Sequence, residues 1–365
     1  MSIQLWTPND LYALRRDDRM DDVPAFFLNE FFTSDHYAED GEIRFGDLEE
    51  DTRFMAPFVL PYEQGKPMHF MAPEKVEAFR VPYIKLKRSV RTTDAKNVKP
   101  SDIFRNGGQL PTMVDRFEAR VAELDRRHRR AIRVREAWMA ARAIIDGAVR
   151  IQYERDQGVA NPDVLLNFGR DPSHTVVKTD NFWSDPSADI IGDLETWINR
   201  MYLTAGGGSA SMLIVGAQVA AVFKRNEGIK KLLDRTIRGG TEDVKINLGI
   251  NRISQPMTYI GQLESGLPVW SYKDTVDVPG PDDETQRVDL FNQKDILLVA
   301  PGANGVRVRG PIYDTEAFES GQIAAEVFAK MWETDDPGER WIMHQASFLP
   351  VPLYPNRTFK ARVLA

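Results

Sequence analysis

Residues 41–68 read GEIRFGDLEEDTRFMAPFVLPYEQGKPM, and FRVPYIKLKRSVRTTD follows over 79–94. Apolar β-formers alternate in part through EIRFGDL and TRFMAPFVLPY, which reads as extended chain. Pro57, Pro61, Pro67, Pro73 and Pro82 exclude a helix and disfavour a central strand. Proline fixes φ and donates no backbone hydrogen bond. EQGK (63–66) and MAPEK (71–75) carry turn chemistry. Further on, Tyr83, Lys85, Lys87 and Ser89 alternate with Ile84, Leu86, Arg88 and Val90. The pattern over 42–93 predicts a long, strongly polar hairpin with little core of its own. An isolated two-stranded ribbon is marginal in water. It therefore needs something to lie on, and another subunit would serve.

Upstream, residues 15–22 (RRDDRMDD) are almost all charge. VPAFFLNEFF (23–32) then places Phe26, Phe27, Phe31 and Phe32 beside that polar arm. Two readings stay open: a short core helix with Phe27 and Phe31 on one face, or an arm whose aromatics dock on a neighbouring subunit.

Downstream, apolar residues recur at 114, 117, 121, 124, 131, 134, 138, 141, 145 and 148. These steps predict one helix over 110–153, with Pro111 in its first turn. Such a helix spans on the order of 60 Å. Its middle reads DRRHRRAIRVR (125–135). An arginine cluster binds phosphate. The plainer reading is a solvated face, with Asp115, Glu118, Glu123, Asp125 and Glu136 close by and His128 solvated.

Residues 156–188 read as loop. DIIGDLETWINRMYLTAG (189–206) reads as a helix, SASMLIVGAQ (209–218) as a strand and AQVAAVFKRNEGIKKLLDR (217–235) as a helix pair. MTYIGQLESGLPVWSYKDTVDV (257–278) reads as two strands joined at ESGLP. DILLVAPGANGVRVRGPIYD (295–314) reads as strand, Gly-rich hairpin loop and strand. Residues 319–333 are short and amphipathic, and the tail 340–365 is extended and apolar.

The chain has 365 residues, 42% of them apolar, and a net charge of −7. At roughly 150 residues per domain this is about two domains or one elaborate one. No apolar run approaches the ~20 residues that cross a bilayer. The start, MSIQLWTPND, lacks a basic region followed by an apolar stretch, which argues against a secretory signal. The absence of cysteine removes disulfides, thiolate zinc and thiol nucleophiles, and makes a reducing cytoplasm the simplest compartment. GGGSAS (206–211) lacks the Gly-Lys-Ser/Thr ending of a phosphate loop, and the five histidines are scattered. No catalytic, cofactor-binding or metal-ligating residue is assigned. A detached arm, a coreless hairpin, a very long helix and an apolar tail together suit a chain that touches copies of itself.

The stretches Ile43 to Leu48, Arg53 to Pro61, Gly65–Lys66 and Pro82 to Arg88 resemble, in order, the lambda-type major capsid proteins of tailed phages, the capsid protein E family. So do VPAFFLNEFF, MLIVGAQVAAVFKRNEGIKKLLDR, LPVWSYKDTVDV and the tail with Gln345. The one departure is Gly46 before Asp47, which puts a local strand register in question. The resemblance implies an α+β fold of the Hong Kong 97 type. Residues 1–50 would be an amino-terminal arm, 51–95 an extended loop lying over a neighbour, and 96–188 a peripheral domain with a spine helix at 110–153. Residues 189–330 would be an axial domain, and 331–365 the return to the peripheral domain. The implied function is self-assembly, as hexamers and pentamers, into an icosahedral shell around phage DNA, with no cofactor and no membrane. Implied partners are a scaffold, a portal, a maturation protease and a decoration protein, with packaged DNA as a weak, non-specific contact. Expected intersubunit contacts are Phe26, Phe27, Phe31, Phe32, Lys66, Lys75, Lys85, Lys87 and Arg88. One relative of the fold crosslinks a loop lysine to an asparagine; here Lys66 or Lys75 with Asn356 would correspond. The alternatives are an encapsulin-like non-viral shell, or a DNA-binding, DNA-processing or metal-dependent protein using Arg126, Arg127, Arg129 and Arg130.

Overall fold

The computed structural model describes residues 7–8, 11, 25–44, 78–96, 111–153, 163–226, 233–234, 256–263, 265–279, 285–335 and 338–365. The elements run α1 (Phe26–Phe31), β1 (Phe32–Tyr37), β2 (Glu42–Arg44), β3 (Ala78–Arg80), β4 (Tyr83–Val90), α2 (Met113–Asp146), β5 (Ala148–Gln152), β6 (Asp163–Asn167) and β7 (Thr175–Val177). Then come α3 (Ile190–Leu203), β8 (Met212–Gly216), α4 (Ala217–Arg225), β9 (Leu233–Asp234), β10 (Met257–Leu263), β11 (Pro268–Tyr272), β12 (Thr275–Pro279) and β13 (Thr285–Asp289). The chain ends with β14 (Asp295–Val299), β15 (Gly305–Arg309), α5 (Thr315–Glu319), β16 (Phe328–Thr334), β17 (Glu339–Pro352) and β18 (Thr358–Arg362).

Two sheets organise the molecule. One has seven strands in the order β7-β18-β14-β8-β11-β10-β9. Its central strands, MLIVG and DILLV, are apolar runs because both faces are covered. Ile214, Leu297, Val299 and Tyr272 point into the core that holds α1 and much of α2. Leu213, Val215, Ile296 and Leu298 point the other way, onto α3 and α4. There Trp183 stacks on Trp197 and on Phe223, both at 5.7 Å.

The other sheet has five strands built around β17. Its first half pairs with both β16 and β4, and Phe348–Pro352 pairs with β15, which in turn carries β1. The long helix α2 packs against this sheet. A reciprocal cap of Thr112 and Asp115 starts it, so Pro111 stands just outside its first turn. Gly147, at φ +66°, ends it.

Several expectations are corrected. The helix is 34 residues long and stops at Asp146; residues 148–152 form a strand paired with β6. Its middle buries Asp125, Arg129, Ile132 and Glu136, while Ala131 is exposed and Val134 half-buried. Paired charges hold that face, so an apolar count misses its phase. The segment β4 is not half of a detached hairpin, since Tyr83–Val90 lies in the chain's own sheet against β17. The remainder of that loop, 45–77, lies outside the described residues, as does the second half of the helix pair except for the two-residue strand β9. Strands β14 and β15 do not form a hairpin: the turn between them carries the chain from one sheet to the other. The tail likewise enters both sheets, β17 in one and β18 in the other, and β15 and β16 join the sheet of β17.

Gly147 gives a direct test of the helix end. A Cβ there would stand 2.8 Å from the Arg170 side chain, which donates to the carbonyls of Ile144 and Ile145. At Gly169, φ +77°, a Cβ would meet open space. Gly169→Ala is expected to cost about 1–2 kcal/mol, the left-handed penalty alone. Gly147→Ala is expected to cost more, because Arg170 must also move. Urea unfolding of both variants measures the difference.

Candidate intersubunit surface

The sheet of β17 has one face against α2 and one face open. Register sets which residues share this face: Tyr83, Lys85 and Lys87 from β4; Trp341, Met343 and Gln345 from β17; Lys330 and Trp332 from β16; Gln345 is buried there under the segment of Ile312 and Ala317. Trp332 and Trp341 face each other as a cross-strand pair, their rings 6.3 Å apart and within 11° of parallel. Lys87 lies over Trp341 at 5.6 Å and Lys330 over Trp332 at 6.0 Å. A shallow depression of about 310 Å³ is lined by Lys87, Glu316, Lys330, Trp332 and Met343.

A hydrogen-bond chain fastens the neighbouring loop to this face. The Tyr83 hydroxyl donates to Gln345 Oε1 at 2.6 Å and accepts from the Tyr313 backbone N–H at 3.2 Å. Gln345 Nε2 donates to Asp314 Oδ2 at 2.6 Å. Burial, together with the Asp314 charge, pushes the Tyr83 phenol up to about 12 despite the opposing N–H bond, so it keeps its proton. Burial favours the neutral form of Asp314, yet the hydrogen bonds from Lys330 and Gln345 hold its carboxyl below the usual range. The loop so fixed presents Tyr313, 65% exposed, and Phe318, 72% exposed.

Of the nine expected contact residues, Lys85, Lys87 and Arg88 are exposed, and none has an acidic partner among the described residues. Lys66 and Lys75 lie outside the described residues. The four phenylalanines are a correction: α1 is a core helix, and Phe26, Phe27, Phe31 and Phe32 are all 5% exposed or less. Phe26 and Phe27 pack on Tyr272 at 6.0 and 5.1 Å, and Phe32 lies over Gly305, where a side chain would collide with its ring. A ring enclosed by its own chain has no surface left for a neighbour. Asn356 is also engaged, accepting from the Asp171 N–H and donating to the Ala205 carbonyl, so its amide is not free for a crosslink.

The basic run on α2 divides. Arg129 is buried against Asp125 at 2.7 Å, Arg127 pairs with Glu123, and Arg126 and Arg130 are exposed. It is not one continuous phosphate-binding face. His128 is half-buried instead of solvated. Its Nδ1 lies 3.0 Å from His344 Nδ1, and His344 Nε2 lies 2.7 Å from Asp125 Oδ1. Burial opposes the Asp125 charge, but the hydrogen bond and charge of His344, with Arg129, hold its carboxyl below the usual range. Among the described residues no group of three or more His, Cys, Asp or Glu is placed to hold a metal ion. No helix among them is long and apolar enough to cross a membrane.

Residues 18–363 match the family model of phage major capsid protein E. The chain belongs to this family. Its function is that of a major capsid protein: a component of the virion that self-assembles into the shell of a phage head. No curated protein matches it by sequence. Among solved structures it is similar to a protein assigned as a prophage capsid protein in Escherichia coli CFT073, with 19% identity, TM-score 0.69, and 99% of this chain and 100% of that one covered. That likeness places the fold in the Hong Kong 97 type. A phage-related protein of Bordetella bronchiseptica RB50 matches at 11% identity and TM-score 0.47, covering 98% of both chains. An encapsulin of Synechococcus elongatus PCC 7942 matches at 10% identity and TM-score 0.42, covering 100% of this chain and 96% of that one. Neither score distinguishes a phage shell from another compartment.

Sequence reading singled out the β4 cations but not Trp332, Trp341, Tyr313 or Phe318, which the structure places near them. A signal was present: in FAKMWET and ERWIMHQ the residues two apart share a face, which stacks Trp332 on Trp341 once the two runs pair.

The histidine contact has a measurable consequence. Burial, and then the charge of His344, lower His128 to about 4. The unfolded chain, with a histidine near 6.5, binds that proton first. Stability is therefore expected to fall as pH drops from about 6.5 to 4, by about 1–2 kcal/mol once solvent screening of a half-exposed ring is allowed for. His174, also lowered by burial, adds to the slope. His128→Asn is expected to flatten the slope in urea unfolding measured across that window.

Proposed function

We propose that copies of this chain gather as hexamers and pentamers, with the open face of the β17 sheet at their contacts. The observation that carries this reading is the pair Lys85 and Lys87: two exposed cations on the open face without acidic partners among the described residues, on a chain of net charge −7. Exposed aromatics beside them, Tyr313 and Phe318, are the side chains that anchor protein contacts. Each exposed ion pair contributes ~0–1 kcal/mol. A closed shell multiplies weak contacts over many subunits, so they set register and add to cohesion together. The net negative charge limits the hold on packaged DNA, which suits a container that must release it.

In this reading residues 51–77 reach over a neighbour, and the sheet of β17, with α1 and α2 packed beside it, is the peripheral domain. The seven-stranded sheet with α3 and α4 is the axial domain. The role is structural, without a reaction of its own. A scaffold, a portal, a maturation protease and a decoration protein rest on the family resemblance alone. The test is Lys85→Gln and Lys87→Gln together, followed by sedimentation velocity. The variant is expected to keep native circular dichroism and to lose shells, or to form them only at higher protein concentration. Assembly identical to that of the unmodified chain at every salt concentration would remove β4 from the contact.

A further inference from the structure

The surface along β4 carries acid at one end and base at the other. Glu39 and Asp40 lie in the turn before Gly41, whose carbonyl accepts from the Val81 N–H at 2.9 Å. From Val81 the chain runs away from that turn into β4. At ~3.3 Å per residue, Lys85 and Lys87 stand about 13 and 20 Å further along. Tyr313 fills the middle: its hydroxyl lies against Gly41, and its ring is 5.8 Å from Tyr83. Lys85 covers the Tyr83 ring at 5.3 Å.

Glu39, Asp40, Lys85 and Lys87 are all exposed, and none has an ion-pair partner among the described residues. The two ends are too far apart to neutralise each other within one chain. A stripe ordered acid, aromatic, base is complementary to itself after a half-turn about its centre, and like charges meet if it is laid down without that rotation. We propose that two copies of this chain meet about a two-fold axis along this stripe, Tyr313 facing Tyr313 and Glu39–Asp40 of each copy facing Lys85–Lys87 of the other. This rests on the shell reading above and extends it by naming both sides of one contact. Arg88 points to the other face of β4 and takes no part.

The chain has no cysteine, so Tyr313→Cys introduces a single thiol at an exposed position. Shells of this variant are treated with a short bismaleimide and run on a denaturing gel. Crosslinked dimers in high yield are expected, because the two-fold contact brings the two thiols within reach of the short linker. Shells that yield monomers alone would overturn the two-fold contact and leave the shell reading intact. If the unmodified chain forms no shells, both readings fail together.

A charge exchange provides the second measurement. Lys85→Glu with Lys87→Glu, and separately Glu39→Lys with Asp40→Lys, are each expected to raise the concentration needed for assembly about tenfold. The four changes combined are expected to restore it. Loss in both double variants without rescue in the fourfold variant would contradict the pairing.

Discussion

The structure depends on the seam between the long helix and strand β17. Two buried ionic contacts fix it. Asp125 of α2, paired with Arg129 on the same helix, meets His344 of β17, and Glu136 meets Arg309 of β15 at 3.0 Å. A buried charge without a partner is strongly destabilising, so neither contact tolerates a slip of the helix. The two acids are separated by 11 residues, about 16 Å along the axis. Together they set both the position and the rotation of the helix on the sheet.

That seam gives the sheet its two characters. One face is committed to α2. The other keeps tryptophans, a methionine and lysines at the surface. The same strand, continuing to Pro352 and leading into β18, ties this sheet to the seven-stranded one, so the two cores behave as parts of a single subunit. The core helix α1 strengthens the tie. Its phenylalanines reach Tyr272 of the second sheet while the strand that follows it, β1, joins the first. A shell subunit needs such internal stiffness if weak edge contacts are to add up across many copies.

Much of this was legible in the sequence, for reasons tied to particular residues. The apolar runs MLIVG and DILLV read as strands and are strands, and the helix read over 189–206 stands at Ile190–Leu203; the run after ESGLP, read as one strand, is two, β11 and β12, in different sheets. The family resemblance, carried by an ordered series of short motifs, was legible across most of the chain. The partnership of β4 with β17 was not, because the two segments are about 250 residues apart and nothing local says which strands pair. The helix face through Asp125, Arg129 and Glu136 was hidden for a related reason. Its burial depends on His344 and Arg309, whose proximity only the fold supplies. The four phenylalanines left two readings open because an amphipathic arm and a core helix share one pattern until something is seen to cover them.

Electron cryo-microscopy of the particles formed by the purified chain tests the central claim most directly. The account predicts closed shells in which density from a neighbouring subunit covers the face bearing Lys85, Lys87, Trp332 and Tyr313. Shells in which that face stands open to solvent, or dispersed monomers at high protein concentration, would contradict it.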